Sequence, residues 1–316
     1  MKRSQSTVAL LTALLLTGCA TSKPAHKTDP ELARLANTAR TAFDRGSVEQ
    51  ATRLYGRALD MARAQDDAIE AGNNAYNLAA CMISLGKNDD ARALLEEARK
   101  EFERAGRVPA NILLLEAKVA RSMGRLDDAS ALVDQVLPSF GKSAPSDAHR
   151  VQVALLKAHI ACDRKDVAAA RAALDEARAT LRRASDNFLE AEASGASARI
   201  SLVANDPAKA GAAYDAQAEW YRKAQKYRDM ALATGRAGRA YEDAAVLIVA
   251  GDRYYRSARS LFAQGDDVAA LKTVERALGI AERTSDKDLL ARTTSLFNEI
   301  RQRAKGKSPA PEPAKP

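Results

Sequence analysis

Between Ala75 and Phe102 the apolar positions fall into two helical stripes separated by a turn. Leu78, Ala79, Met82 and Leu85 recur three or four residues apart, Gly86-Lys87-Asn88-Asp89 reverses the chain, and Ala91, Leu94, Leu95, Ala98 and Phe102 form the second stripe. A helical hairpin is too narrow to hide both stripes by itself. It needs neighbours of the same kind, and the chain supplies them.

Aligning each turn on the residue equivalent to Gly86, with an alanine five later, gives Gly46/Ala51, Gly86/Ala91, Gly124/Ala129, Lys165/Ala170, Asn205/Ala210 and Gly265/Ala270. The spacings are 40, 38, 41, 40 and 60 residues. A helix–turn–helix unit recurring at a period near 40 predicts an all-α fold, an α-solenoid of six units. Gly or Asn ends the first helix at low cost in the left-handed conformation, and Asp, Asn or Ser starts the second. Paired carboxylates at these turns, such as Asp89-Asp90, Asp127-Asp128 and Asp266-Asp267, read as helix caps.

The 60-residue interval has room for one additional helix, near Tyr227 to Asp243, at which the packing is expected to become irregular. Gly235 and Gly238 lie in it, and the apolar run AAVLIVA (244–250) is expected to be buried. Trp220, Tyr221, Tyr214 and Tyr227 are read as core packing around that junction. A last helix, Lys287 to Arg303, caps the stack with Leu289, Leu290, Leu296 and Ile300, and the Pro-rich stretch 305–316 reads as a disordered tail.

The segments ARTAFDRGSVEQATRLYGRAL (39–59), LAACMISLGKNDDARALLEEA (78–98), AKVARSMGRLDDASALVDQVL (117–137) and ARSLFAQGDDVAALKTVERAL (258–278) resemble the tetratricopeptide repeat in a variant of about 40 residues. The small residue seven before each turn (Ala39, Ala79, Ala117, Ala158, Ala198 and Ala258) fits the family pattern. The resemblance covers residues 31–304 and implies a right-handed superhelix whose first helices line a concave groove for a peptide or helix. Carried over from the family, the groove positions include Asn73, Asn111 and Gln152; Tyr76 and Tyr255; Arg40, Lys118, His159, Arg199 and Arg259; and Arg121. Asn77 and Arg40 match positions of the chaperone-binding carboxylate clamp of cytosolic relatives, but Ala36 and Leu115 stand at two others. The resulting basic, amide-bearing stripe suits a peptide carrying acidic groups or a free carboxylate.

The first residues change the picture of where this happens. MKRSQSTVALLTALLLTGC opens with a basic start, continues with an apolar run too short to span a bilayer, and ends in small residues. Leu16-Thr17-Gly18-Cys19 resembles the lipobox of bacterial lipoproteins, which implies a leader at 1–18, a lipid on Cys19, and a polar tether over 19–30. Ala20, in place of an inner-membrane-retaining Asp, implies the outer membrane, facing the periplasm. Two of the eight excess positive charges lie in the leader, one in the segment after it and two in the tail, leaving +3 for residues 31–304. That is no nucleic-acid footprint.

Cys81 and Cys162 read as buried structural thiols, and no phosphate loop, nucleophile elbow, cofactor motif or metal-ligand spacing is present in the sequence. The expected function is a non-enzymatic, lipid-anchored periplasmic scaffold that binds other envelope proteins or peptides. The alternatives are a cell-wall enzyme or sugar-binding helical protein, and a self-assembling structural lipoprotein. Lipidation is tested by Cys19→Ser, which is expected to move the protein to the soluble fraction; continued detergent-dependent fractionation of the variant contradicts the lipid anchor.

Overall fold

Alanine abundance and scarce internal proline favour helices, and helices are what form. The computed structural model describes residues 28–106, 109–141 and 144–307. The proposed leader, Cys19, most of the tether and the end of the tail lie outside the described residues. Among the described residues fourteen α-helices follow one another. They are α1 (Pro30–Asp44), α2 (Val48–Ala64), α3 (Ala68–Ser84), α4 (Asn88–Arg104), α5 (Ala110–Ser122), α6 (Leu126–Val136) and α7 (Asp147–Asp163). The second half comprises α8 (Val167–Leu181), α9 (Asn187–Val203), α10 (Pro207–Lys223), α11 (Tyr227–Asp243), α12 (Leu247–Ala263), α13 (Asp267–Thr284) and α14 (Lys287–Lys307). No strand occurs among the described residues, and none of their helices is long and apolar enough to cross a membrane.

Each helix packs mainly on the next, giving two layers: odd-numbered helices in one and even-numbered helices in the other. Alanines five after the turns, including Ala51, Ala91, Ala129, Ala170, Ala210 and Ala270, are fully buried and let paired helices approach closely. Larger residues fill the spaces between pairs, for example Leu32, Leu59, Leu95, Ile112, Val133 and Leu181. Cys81 and Cys162 are free thiols in separate core clusters, and burial pushes both up to about 11.

The structure corrects the repeat count. Several turns between pairs have the same form as turns within them. Asp66, Gln225 and Gly265, between pairs, enter the left-handed region at φ 53°, 58° and 84°, beside Gly46, Gly86 and Ala245, within pairs, at 80°, 74° and 59°. The same two backbone bonds close them: Gly46 N–H to Phe43 and Ser47 N–H to Ala42, and likewise Ala245 to Glu242 and Val246 to Tyr241. From α1 to α4 and from α9 to α13 the step of the array is therefore a single helix and its turn, about twenty residues, whereas longer connections of other form join α4 to α5, α6 to α7 and α8 to α9; the described helices form seven pairs. The 60-residue interval is three such steps (α10, α11 and α12), and the packing does not become irregular.

Two further corrections follow. AAVLIVA is not buried: Ala245 is a turn residue, Val246 and Ile248 are 38% and 70% exposed, and only Ala250 at its end is fully buried. The paired carboxylates are not uniformly caps. Asp266 accepts the N–H of Ala269, whereas Asp89, Asp90, Asp127 and Asp128 lie inside the first turns of α4 and α6, where the helix dipole favours them. Of the four aromatics near the junction, Tyr221 is buried, Trp220 is half-buried beneath Lys223, and Tyr227 is exposed.

α14 closes the stack. Leu289, Leu296 and Ile300 are buried, and Arg303 stacks on Phe262, donating to that residue's carbonyl at 2.6 Å and to Asp267. At the other end of the coil, the α1–α2 turn touches the α10–α11 turn. Lys226 Nζ lies 3.1 Å from Asp44 Oδ1, across 182 residues of sequence.

The left-handed turns make a test. A non-glycine residue there costs about 1–2 kcal/mol, so Ala245→Gly is expected to raise stability by about 1 kcal/mol after the added chain entropy is subtracted. Gly86→Ala, with open space around the new methyl, is expected to lower it by about 1 kcal/mol. Urea unfolding midpoints check both.

Candidate binding surface

The two layers meet different surroundings. Two ion pairs on even-numbered helices, Glu96 with Lys100 on α4 and Glu219 with Arg222 on α10, stand in open solvent, while Arg253 of α12 and Asp215 of α10 pair half-buried. On odd-numbered helices, Tyr76, Lys118 and His159 are reached by solvent yet crowded by protein, and burial shifts all three. That combination belongs to the inside of a curve. From α3 to α9 successive odd helices also touch one another and successive even helices do not, so there the odd layer is the concave one.

One cavity of about 290 Å³ opens on it, lined by Tyr76 of α3, Asn111, Leu114 and Lys118 of α5, and His149 and Gln152 of α7. Its wall is held by polar contacts. His149 Nε2 lies 3.0 Å from Asn111 Oδ1, its Nδ1 lies 2.6 Å from Ser146 Oγ, and its ring meets the edge of Phe140. Ser146 also caps α7 by accepting the His149 N–H, so the helix start and the cavity wall are one feature.

Deeper along the same layer, three helices share one carboxylate. Arg121 of α5 donates to Asp163 Oδ2 at 2.6 Å, and Arg199 of α9 donates to Oδ1 of the same residue at the end of α7. Two guanidiniums on one carboxylate leave net positive charge. His159 lies one turn before Asp163; burial, then Arg121, then Lys118 push its imidazole down to about 4, and its buried Nδ1 has no hydrogen-bond partner. Lys118 has no carboxylate within ion-pair distance among the described residues. Burial pushes its ammonium down and Glu192 opposes that shift. Glu192 itself accepts the Tyr221 hydroxyl.

Ten of the twelve sequence-derived groove residues lie on odd helices: Arg40 on α1; Asn73, Tyr76 and Asn77 on α3; Asn111, Lys118 and Arg121 on α5; Gln152 and His159 on α7; and Arg199 on α9. The cavity joins Tyr76, Asn111, Lys118 and Gln152, and the shared carboxylate joins Arg121 and Arg199 beside His159. Asn73 and Asn77 are half-buried on α3, and Arg40 stands exposed near Tyr55.

Tyr255 and Arg259 belong elsewhere. They lie on α12, in the even layer, where Tyr255 faces Arg292 of α14 and Arg259 lines a different cavity with Arg222, Arg253 and Arg256. The cause is parity. The three-helix step from Asn205 to Gly265 moves the Gly265 turn to the far side of the array, so counting back from it selects the outer layer. Counting back from Ala245, the left-handed residue after α11, selects Arg239. Arg239 continues the 40-residue spacing of His159 and Arg199, and lines a cavity of about 340 Å³ with Arg236, Lys272 and Arg276 between α11 and α13. Sequence reasoning missed Arg236 and Arg239 because the marker of their turn is an alanine. Among the described residues no group of three His, Cys, Asp or Glu side chains is placed to hold a metal ion.

No family model matches the chain, and no curated protein matches it in sequence. Its fold is similar to solved structures. One is a signal-transduction ATPase with numerous domains that carries a tetratricopeptide repeat sensor, from Pyrococcus horikoshii, at 14% identity and TM-score 0.54 over 87% of this chain. The chain spans 44% of the length of that protein. Another is a Rap protein complexed with Competence and Sporulation Factor, at 10% identity and TM-score 0.53, covering 88% of this chain and 78% of that one. These likenesses establish a tetratricopeptide-like helical repeat fold.

His159 supplies a pH test. Its folded pKa lies below the unfolded value near 6.5, so between pH 6.5 and about 4 the unfolded chain binds the proton first. Its contribution to stability is complete above that window and is lost as pH falls through it. His159→Gln is expected to flatten the pH dependence of the urea midpoint across this window, and Lys118→Ala to raise the His159 pKa in an NMR titration.

Proposed function

We propose that the chain is a lipid-anchored scaffold of the bacterial envelope, facing the periplasm from the outer membrane, that holds an extended acidic segment of another envelope protein against its concave layer. The observation that carries this reading is the row of cations repeated along that layer, Arg40, Lys118, Arg199 and Arg239, with the neutral His159 among them and Lys118 lacking a carboxylate partner among the described residues. A crowded concave surface has lost part of its water already, so a carboxylate arriving there meets an ammonium or guanidinium in a lower effective dielectric than on the outer layer. The cavity beside Lys118 adds an apolar wall of Leu114 and Tyr76 with amides at its rim, a fitting mix for an extended chain. The similar fold of a Rap protein complexed with its factor supports a binding role for this architecture. The leader and its lipobox-like end support the envelope location.

Charge reversal separates the layers. Lys118→Glu, Arg199→Glu and Arg239→Glu together are expected to remove partners recovered by crosslinking and pull-down from intact envelopes, at least tenfold by quantitative mass spectrometry. Arg259→Glu, on the outer layer, is expected to leave them within twofold. Equal recovery from the triple variant and the parent overturns the concave-surface reading.

A further inference from the structure

The ends of this solenoid do not merely approach one another. Asp44, the last residue of α1, meets Lys226, the residue before α11, and nine α-helices separate them along the coil. The two turns belong to opposite edges of the array, because one follows an odd helix and the other follows an even helix. Contact between opposite edges is how one coil of a superhelix seats on the next, so the chain completes one coil by the start of α11.

A second side chain reinforces the seat. Arg228 lies across Gly46 so closely that a methyl there would sit 2.6 Å from its Cδ, and it donates to Asp266 Oδ2 at 3.0 Å, the cap of α13. The contact therefore ties the α1–α2 turn to both the α10–α11 and the α12–α13 turns. It is also narrow. Asp44 and Lys226 keep 54% and 36% of their side-chain surface in solvent. Such a pair shifts an equilibrium by no more than about fivefold, and less in salt.

We propose that this seat is a gate on the concave surface: closed, the coil encircles an extended segment lying against the odd helices; open, the ends spread and the segment exchanges. This rests on the reading that the concave surface holds such a segment. A closed coil admits a chain that threads along its axis and excludes a folded domain, which must wait for opening. Solenoids flex because each unit touches only its neighbours, so a single weak contact between distant units governs the spread of the whole coil.

The test compares the parent with Asp44→Lys, Lys226→Asp and the double exchange, using the full chain and circular dichroism as the folding control. Asp44→Lys puts a cation at the C-terminal end of α1, where the helix dipole tolerates it. By small-angle scattering, the parent is expected to be compact at low salt and to expand at high salt, each single variant to be expanded at low salt, and the exchange to restore compactness. Unchanged radii across all four proteins and both salts overturn the gate. In stopped flow, a fluorescein-labelled oligoglutamate peptide is expected to dissociate up to about fivefold faster from either single variant, with the parent rate restored in the exchange. Changed radii with unchanged exchange rates also overturn the gate. If the radii change as expected but oligoglutamate binds no form, the coil closure stands and the acidic-segment reading fails.

Discussion

One backbone event repeated along the chain sets everything else: a single residue passing into the left-handed region between consecutive helices. Its two closing hydrogen bonds fix the angle at which each helix leaves, and the following cap fixes where the next begins. Because seventeen helical residues and a three-residue turn recur through much of the array, the same position on alternate helices falls on the same face. The 40-residue spacing from His159 to Arg199 to Arg239 is a consequence of that backbone regularity. The side chains do not create the alignment; they inherit it.

Curvature then changes what those side chains are worth. On the outer layer, Glu96 with Lys100 and Arg222 with Glu219 sit in water, and pairs of that kind contribute little. On the inner layer, crowding takes water away from Lys118 and His159 without burying them in the core. The protein answers the accumulated positive charge in two ways. Asp163 neutralises part of Arg121 and Arg199 by accepting from both, and His159 stays uncharged. Lys118 is left as the least compensated charge of the group, next to the cavity that Asn111, His149 and Gln152 edge.

How much of this was legible in the sequence depended on which turns announced themselves. Where glycine or asparagine holds the left-handed position, as at Gly46, Gly86, Gly124 and Asn205, the alignment places Arg40, Tyr76, Lys118 and Arg199 together on the odd layer. Lys165 carries no such residue preference, yet spacing alone kept His159 in phase. The turns at Gln225 and Ala245 have neither glycine nor asparagine, and their 20-residue step was invisible to a search for a 40-residue one. Tyr255 and Arg259 fall on the groove positions of that alignment for this reason, while Arg239, at the helix position equivalent to Arg199, does not. The Asp163 bridge was beyond sequence reasoning altogether, since it depends on α5, α7 and α9 lying side by side.

The single-helix step has a bearing on how such chains change. Where successive connections are geometrically alike, as from α9 to α13, the fold accepts the gain or loss of one helix as readily as of two. The two events differ in outcome. Removing about forty residues shortens the coil and keeps every downstream cation facing inward; removing about twenty turns all of them to the outside while each helix still packs on its neighbour. In this architecture the oddness or evenness of a length change, rather than its size, decides which surface the rest of the protein shows to the inside of the coil.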